Sequence, residues 1–347
     1  MATAVMATIR DVAKLAGVSV ATVSNALNLR GNVSPDIKER VANAVEMLGY
    51  APHAGAQRLR RSASNLIGVV IADIANPHFG ALAEELESSA SGRGYSVIIC
   101  NSGEDLARER RHLQTLLSHR VDGIVLIAAA GDSNERIAML SRIGVPLAVV
   151  DRAIAGLSFD TVTLDDRRAG ALVAEHLIGL GHRRIGVVSG PEGVSTARER
   201  LEGFREALAS VGVPLDPRLV IDGGFRADRA RSNTQRLLAS AERPTAIFAT
   251  DLMMALGVLS AVGDAGLVCP LDISVAAIGD NPFATALHPG LTTVAQPVNA
   301  IAAAAIEALL ASIARSNDEP ETSTRIALEP RLIVRGSTGA PQAGVRR

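Results

Sequence analysis

From Leu66 onward the chain repeats one pattern: a short apolar run, a polar turn, then a stretch with helical spacing. The runs are LIGVVIAD, YSVIIC, DGIVLIAAA, PLAVVDR, DTVTLD, RRIGVVSG, TAIFATD, DISVAAIGD and LTTVAQ. Most are apolar at successive positions rather than at every second one, so neither face of such a strand tolerates water. Strands of this kind need helices on both sides, the property of parallel sheets built from βαβ units. About ten strands over roughly 270 residues are better served by two sheets than by one.

In open α/β sheets, ligands bind outside the carboxyl ends of the strands. The polar residues at those ends are Asp73, Asn101, Asp151 with Arg152, Asp165 with Asp166, Ser189, Thr250 with Asp251, Asp280 and Gln296. Two lobes facing each other would line a cleft with acids, amides and a few arginines. The chain holds six Phe and two Tyr. Three of the phenylalanines, Phe79, Phe225 and Phe283, follow such strand ends or turns. Carboxylates and amides beside an aromatic platform suit a polyhydroxylated ligand. Each residue also has an ordinary reading: Asp251 as a helix cap, Phe79 as core.

The first 64 residues have another character. They hold eight Lys/Arg against four Asp/Glu, a net +4 on a chain whose total is −1. A small basic module on an acidic body suits a polyanion partner for the module alone. Thr8 and Asp11 form a capping box, and Ile9, Val12, Ala13 and Ala16 make one apolar stripe. Gly17 ends this helix, Ser19 caps a second, and Ser34 with Pro35 starts a third that stops at Gly49. Two short helices at a tight turn, with a third behind, form a helix-turn-helix pattern. In the second helix Val23, Ala26 and Leu27 face inward, leaving Ala21, Ser24, Asn25 and Asn28 outside and Val20 at the N-terminal edge. Small outward residues let a helix sit deep in a groove. Asn25 suits a base edge, and Val20 and Ala21 suit thymine methyl groups. A purely structural helical hairpin would show the same periodicity. After Gly49, Pro52 starts a possible short helix through Leu59, weakened at Gly55 by about 1 kcal/mol relative to Ala. Its arginines, Arg58, Arg60 and Arg61, fit either a basic linker or a segment that orders on DNA.

IRDVAKLAGVSVATVSNALN followed by VSPDIKERVANAVEMLGYAPHAGAQRL resembles the DNA-binding headpiece and hinge of the LacI/GalR family of bacterial transcription regulators. The likeness continues through ADIANPHF, GHRRIGVVSGP, ARERLEGF, DISVAAIGD and LTTVAQP, over nearly the whole chain. It implies a small all-α headpiece and a two-lobed α/β core like that of periplasmic sugar-binding proteins. The implied divisions are a headpiece over 1–51, a hinge over 52–64, and an N-subdomain of 65–163 plus 295–327. A C-subdomain of 164–294 plus 328–338 and a tail over 339–347 complete the chain.

The resemblance further implies that Val20, Ala21 and Asn25 read bases, with Ser19, Thr22 and Tyr50 on phosphates. Asn32 and His53 join the DNA-facing set, and Leu59 with Ala56 would enter the minor groove. For the effector it implies His78, Phe79, Asp151, Arg152, Asp165, Arg200, Phe225, Thr250 and Gln296; strand-end position adds Asp73, Asp251 and Asp280. In the AIGDN turn Gly279 stands where many relatives carry an acid. The expected protein is a cytoplasmic homodimer that binds a pseudo-palindromic operator, most simply a repressor of carbohydrate genes. A sugar-like effector would close the lobes and change the spacing of the headpieces.

Neither a metal nor a cofactor is expected. GxGxxG, GK[ST], GxSxG and HExxH are all missing, and GRGY at 92–95 precedes a strand instead of following one. Cys100 and Cys269 have no metal-like spacing. No apolar run approaches the roughly 20 residues that span a bilayer, and MATAVMATIR lacks the build of a secretory signal. A solute-binding protein is the alternative reading, against which the missing export signal and the headpiece pattern both count. An enzyme on a doubly wound fold comes third.

Overall fold

The computed structural model describes residues 7–27, 33–48, 64–131, 134–240, 242–315 and 323–342. The chain divides into two compact units at residue 64.

In the first unit α1 spans Ile9–Ala16, α2 Val20–Leu27 and α3 Pro35–Leu48. The Thr8 amide and hydroxyl both donate to the Asp11 carboxylate, at 2.8 and 2.6 Å. These bonds hold the Asp11 carboxyl below its ordinary pKa. Gly17 ends α1 with φ 65°, and Arg40 of α3 donates to the Ala16 carbonyl at 2.6 Å. The third helix thus satisfies a carbonyl that the end of the first would leave exposed. Val12, Ala13, Ala16, Val23, Ala26, Val41 and Ala44 form the core. It is small, and the short side chains let three short helices meet closely.

The second unit is α/β with two six-stranded sheets. Sheet one contains β1 (Leu66–Ile71), β2 (Ser96–Asn101), β3 (Gly123–Leu126), β4 (Leu147–Val150), β5 (Asp160–Leu164) and β11 (Arg325–Leu328), in the order β11-β5-β4-β3-β1-β2. All its pairs are parallel. Sheet two contains β6 (Ile185–Ser189), β7 (Val220–Asp222), β8 (Ala246–Ala249), β9 (Ser274–Ile278), β10 (Thr292–Ala295) and β12 (Arg331–Ile333), in the order β12-β10-β9-β8-β6-β7. Among the described residues its pairs are parallel except β10–β12, which is antiparallel.

The apolar runs follow from what covers each face. Along β3, Ile124 and Leu126 pack with Leu113 and Leu116 of α5 (Leu106–Ser118) and Leu140 of α6 (Asn134–Leu140). The alternate Val125 packs with Leu82 and Leu86 of α4 (Pro77–Ser91) and Ile306 and Leu309 of α12 (Val298–Ala314). Sheet two is covered likewise. On one face lie α7 (Asp166–Gly179) and α8 (Ser195–Ser210), and on the other α9 (Ala227–Leu238) and α10 (Leu252–Asp264). The short α11 (Pro282–Ala286) precedes β10. The chain passes between sheets three times: after β5, after β10 and after β11.

Three strands escape the apolar-run reading: β7, β11 and β12. Each has three or four residues and lies at the edge of its sheet, and β11 and β12 begin with exposed arginines. An edge strand tolerates solvent on one side, so its sequence need not be continuously apolar.

Candidate functional site

In the first unit α2 buries Val23 and Ala26 and leaves Ser19, Val20, Ala21 and Asn25 exposed. The Ser19 hydroxyl accepts from the Thr22 amide at 3.0 Å, so the cap fixes where the exposed face begins. Val20 is an exposed branched apolar residue at the first turn. A small, uncharged, outward face with a leading amide cap suits close approach to a groove and its phosphates. Asn32, Tyr50, His53, Ala56 and Leu59 lie outside the described residues.

In the core, three strand ends run into helices whose caps carry the site. Asn76 caps α4, Asp165 caps α7 through the Arg168 amide, and Asp251 caps α10 through the Met253 and Met254 amides. Helix N-termini favour such acceptors, which is why acids and amides collect where parallel strands end. The Asn76 side chain also donates to the Asp251 carboxylate at 3.3 Å, joining the two lobes.

Around this junction the structure gathers most of the candidate effector residues. His78 Nε2 lies 3.0 Å from Asp151 Oδ1. Arg200 of α8 donates to Asp166 at 2.7 Å and to the Thr250 carbonyl at 2.8 Å, and is 5% exposed. Its charge acts on Asp151 and Asp251 as well. Arg152 is 4% exposed, with its guanidinium 5.3 Å from the Phe79 ring centre and 5.2 Å from that of Phe225. One aromatic comes from each lobe. Thr250 Oγ1 and Gln296 Nε2 are buried with no hydrogen-bond partner among the described residues. Buried polar atoms of this kind ask for a ligand or water.

Other candidates sit differently. Asp165 serves as the cap of α7, and it is the neighbouring Asp166 that meets Arg200. Asp73 accepts from the Ala75 amide in its own turn. Asp280 is engaged by Arg335 at 2.7 Å and by the Thr293 hydroxyl at 2.7 Å. Phe283, on α11, is 56% exposed. Gly279 has φ 104°, a backbone that side chains rarely adopt, and a Cβ there would lie 3.3 Å from Leu252 Cβ. The turn as built disfavours any side chain there, an acid included.

Two participants, Asn76 and Glu104, are not among the candidates read from the sequence, and Asp166 is there only as a polar residue at a strand end beside Asp165. Glu104 receives both Arg152 guanidinium nitrogens, at 2.8 and 2.9 Å, and the Ala130 amide at 2.7 Å. Three non-glycine residues of this assembly have positive φ: Glu104 at 60°, Asp151 at 66° and Phe225 at 57°. Such backbone costs roughly 1–3 kcal/mol per residue and collects at sites whose geometry the surroundings impose.

The electrostatics are uneven. Burial would raise Asp151, but its bond to His78 and the nearby arginines outweigh that and hold its carboxyl below the ordinary value. Burial raises Asp251 despite Arg200, Asn76 and two amides. Burial likewise pushes Asp166 up from 3.8 to about 6, against the pull of Arg200. Between these values folded Asp166 holds a proton that the unfolded chain has lost. Its contribution to stability therefore falls as pH rises through that window and is level above it. Asp166→Asn removes this slope. In urea unfolding compared near pH 4 and near pH 7, the variant should gain on the parent by up to about 3 kcal/mol as pH rises. A difference that stays flat between the two pH values contradicts the assignment.

Residues 8–53 match the family described as bacterial regulatory proteins, lacI family, and residues 174–338 match the periplasmic binding protein-like domain. The chain is 33% identical over 334 residues to the HTH-type transcriptional repressor PurR of Haemophilus influenzae (strain PittEE), covering 96% of this chain and 98% of that protein. It is 34% identical over 333 residues to the ribose operon repressor of Halalkalibacterium halodurans, covering 96% and 97%. Its structure is similar to that of the lac repressor dimer bound to operator and the anti-inducer ONPF. That match has a TM-score of 0.85 at 28% identity, covering 96% of this chain and 99% of the other.

Proposed function

The chain belongs to the LacI family of bacterial regulatory proteins, and on that premise we propose that it is a cytoplasmic homodimeric repressor of carbohydrate-uptake or catabolic genes. A sugar-like effector, held between the lobes, sets its affinity for a pseudo-palindromic operator. The observation that carries the regulatory half is the exposed face of α2: Val20, Ala21 and Asn25 outside, Val23 and Ala26 buried beneath them. The effector half rests on the convergence of Asp151, Arg152, Arg200, Phe79, Phe225 and Thr250, drawn from both lobes. In this reading Val20, Ala21 and Asn25 contact bases, and Ser19 and Thr22 hold phosphates. Tyr50, Asn32, His53, Ala56 and Leu59 complete the DNA contacts. Coupling between sugar and operator is reciprocal, so each ligand changes the affinity of the other by the same factor.

The test is fluorescence anisotropy with duplexes from upstream of the gene and its neighbours, against random duplex at matched salt. Binding no tighter than to random sequence ends the proposal. Replacing Val20 and Ala21 together should redirect operator preference while leaving the salt slope nearly unchanged, because neither residue carries charge. A collapsed slope with unchanged preference would mean that α2 presents another face. A thermal-shift panel of sugars, each repeated with operator DNA, then identifies the effector class.

A further inference from the structure

The effector cleft contains two buried guanidinium groups, and neither is free. Arg200 is held by Asp166. Arg152 is held in a two-pronged pair by Glu104, and one of its nitrogens also donates to the Ala128 carbonyl at 2.9 Å. The carboxylates at the junction are Glu104, Asp151, Asp166 and Asp251, so acids outnumber arginines. An anionic ligand entering here would have to displace a carboxylate from its guanidinium partner.

Glu104 is the unusual member. It sits in the loop after β2, with positive φ, and two sets of bonds orient its carboxylate: those from Arg152 and that from the Ala130 amide. The two-pronged pair fixes the plane of the guanidinium, which lies between Phe79 of one lobe and Phe225 of the other.

We propose that Glu104 is the residue that sets the charge class of the effector: by neutralising and aligning Arg152 it makes the cleft accept uncharged polyhydroxylated ligands and refuse phosphorylated or carboxylated ones. The proposal rests on the effector reading above and deepens it. Glu104 acts through Arg152 and is thus a positioning residue. With its carboxylate gone, Arg152 keeps only the Ala128 carbonyl and a 3.9 Å contact with Asp151, which His78 already engages, so the two nitrogens that Glu104 held lose their anion and a ligand anion becomes their natural partner.

The probe is inorganic phosphate, followed by calorimetry and thermal shift on the full chain. Wild type should show no saturable binding. Glu104→Gln should bind phosphate about tenfold or more tightly than wild type, the worth of one charge-assisted hydrogen bond. Glu104→Gly, which also relieves the positive φ, should do the same and guards against a Gln variant that folds poorly. The double variant E104Q/R152Q should lose the gain. A merely structural role for Glu104 would lower stability in these variants without creating an Arg152-dependent phosphate site. The proposal is overturned if both single variants bind phosphate no better than wild type, or if the gain survives without Arg152. Failure of every sugar to stabilise wild type would overturn the sugar reading, leaving the phosphate result to judge Glu104.

Discussion

Gly203→Ala is expected to lower the free energy of unfolding by about 3 kcal/mol or more, the upper part of the overpacking range. A Cβ at Gly203 would come within 2.7 Å of Arg167 Cα and carbonyl carbon, and closer still to the carbonyl oxygen. The reciprocal contact occurs at Gly170, whose Cβ would lie within 2.9 Å of the Arg200 carbonyl carbon and the Phe204 amide nitrogen. Every obstructing atom is backbone, so no rotamer change relieves the overlap and α7 must move away from α8. These helices carry Asp166 and Arg200, whose 2.7 Å contact stretches when they part. One separation accommodates both residues, so Gly170→Ala with Gly203→Ala should cost less than the sum of the two. Urea denaturation measures both statements. An unchanged midpoint for Gly203→Ala would mean that the helices cross less closely than described.

Arg200→Met should destabilise the chain by about 3–5 kcal/mol, the cost of breaking a buried ion pair from one side. Methionine keeps much of the volume, so the loss reads charge more than packing. Asp166 would lose its partner, Asp151 and Asp251 a neighbouring positive charge, and the Thr250 carbonyl a donor. Adding Asp166→Asn should recover part of the loss, because it removes the carboxylate left most exposed to the change. A loss below about 1 kcal/mol would place Arg200 among the ion pairs that contribute little.

The fold class is legible because a strand covered on both faces must be apolar throughout, and five of the core strands are buried at every residue. For β1 the same holds after its first residue. The headpiece is legible because capping residues announce helix starts locally, as Thr8, Asp11 and Ser19 do. The short edge strands β7, β11 and β12 are not, since pairing with one neighbour leaves little mark on three or four residues, whereas the six-residue edge strand β2 is. The cleft divides along the same line. Asp151, Arg152 and Phe225 stand out through their position at strand ends or turns, and His78 only through the family resemblance. Which carboxylate meets which arginine is decided by tertiary geometry. Asp165 and Asp166 are adjacent in sequence, yet one turns to the helix amides and the other to Arg200. Glu104 meets Arg152 across 48 residues of chain, a distance that no local pattern records.

Three strands of backbone run between the lobes, after β5, β10 and β11. A single tether would let one lobe swivel freely, and two would still let it twist about the line joining them. Three tethers leave chiefly opening and shutting, with small adjustments at the residues that bend. The movement of such a core is thus chosen by its connections rather than by its guest. Side chains facing the cleft can change to admit a different molecule while the direction of travel stays the same. Recognition and motion can then diverge independently in descendants of this chain, as a lock can be rekeyed without rehanging the door.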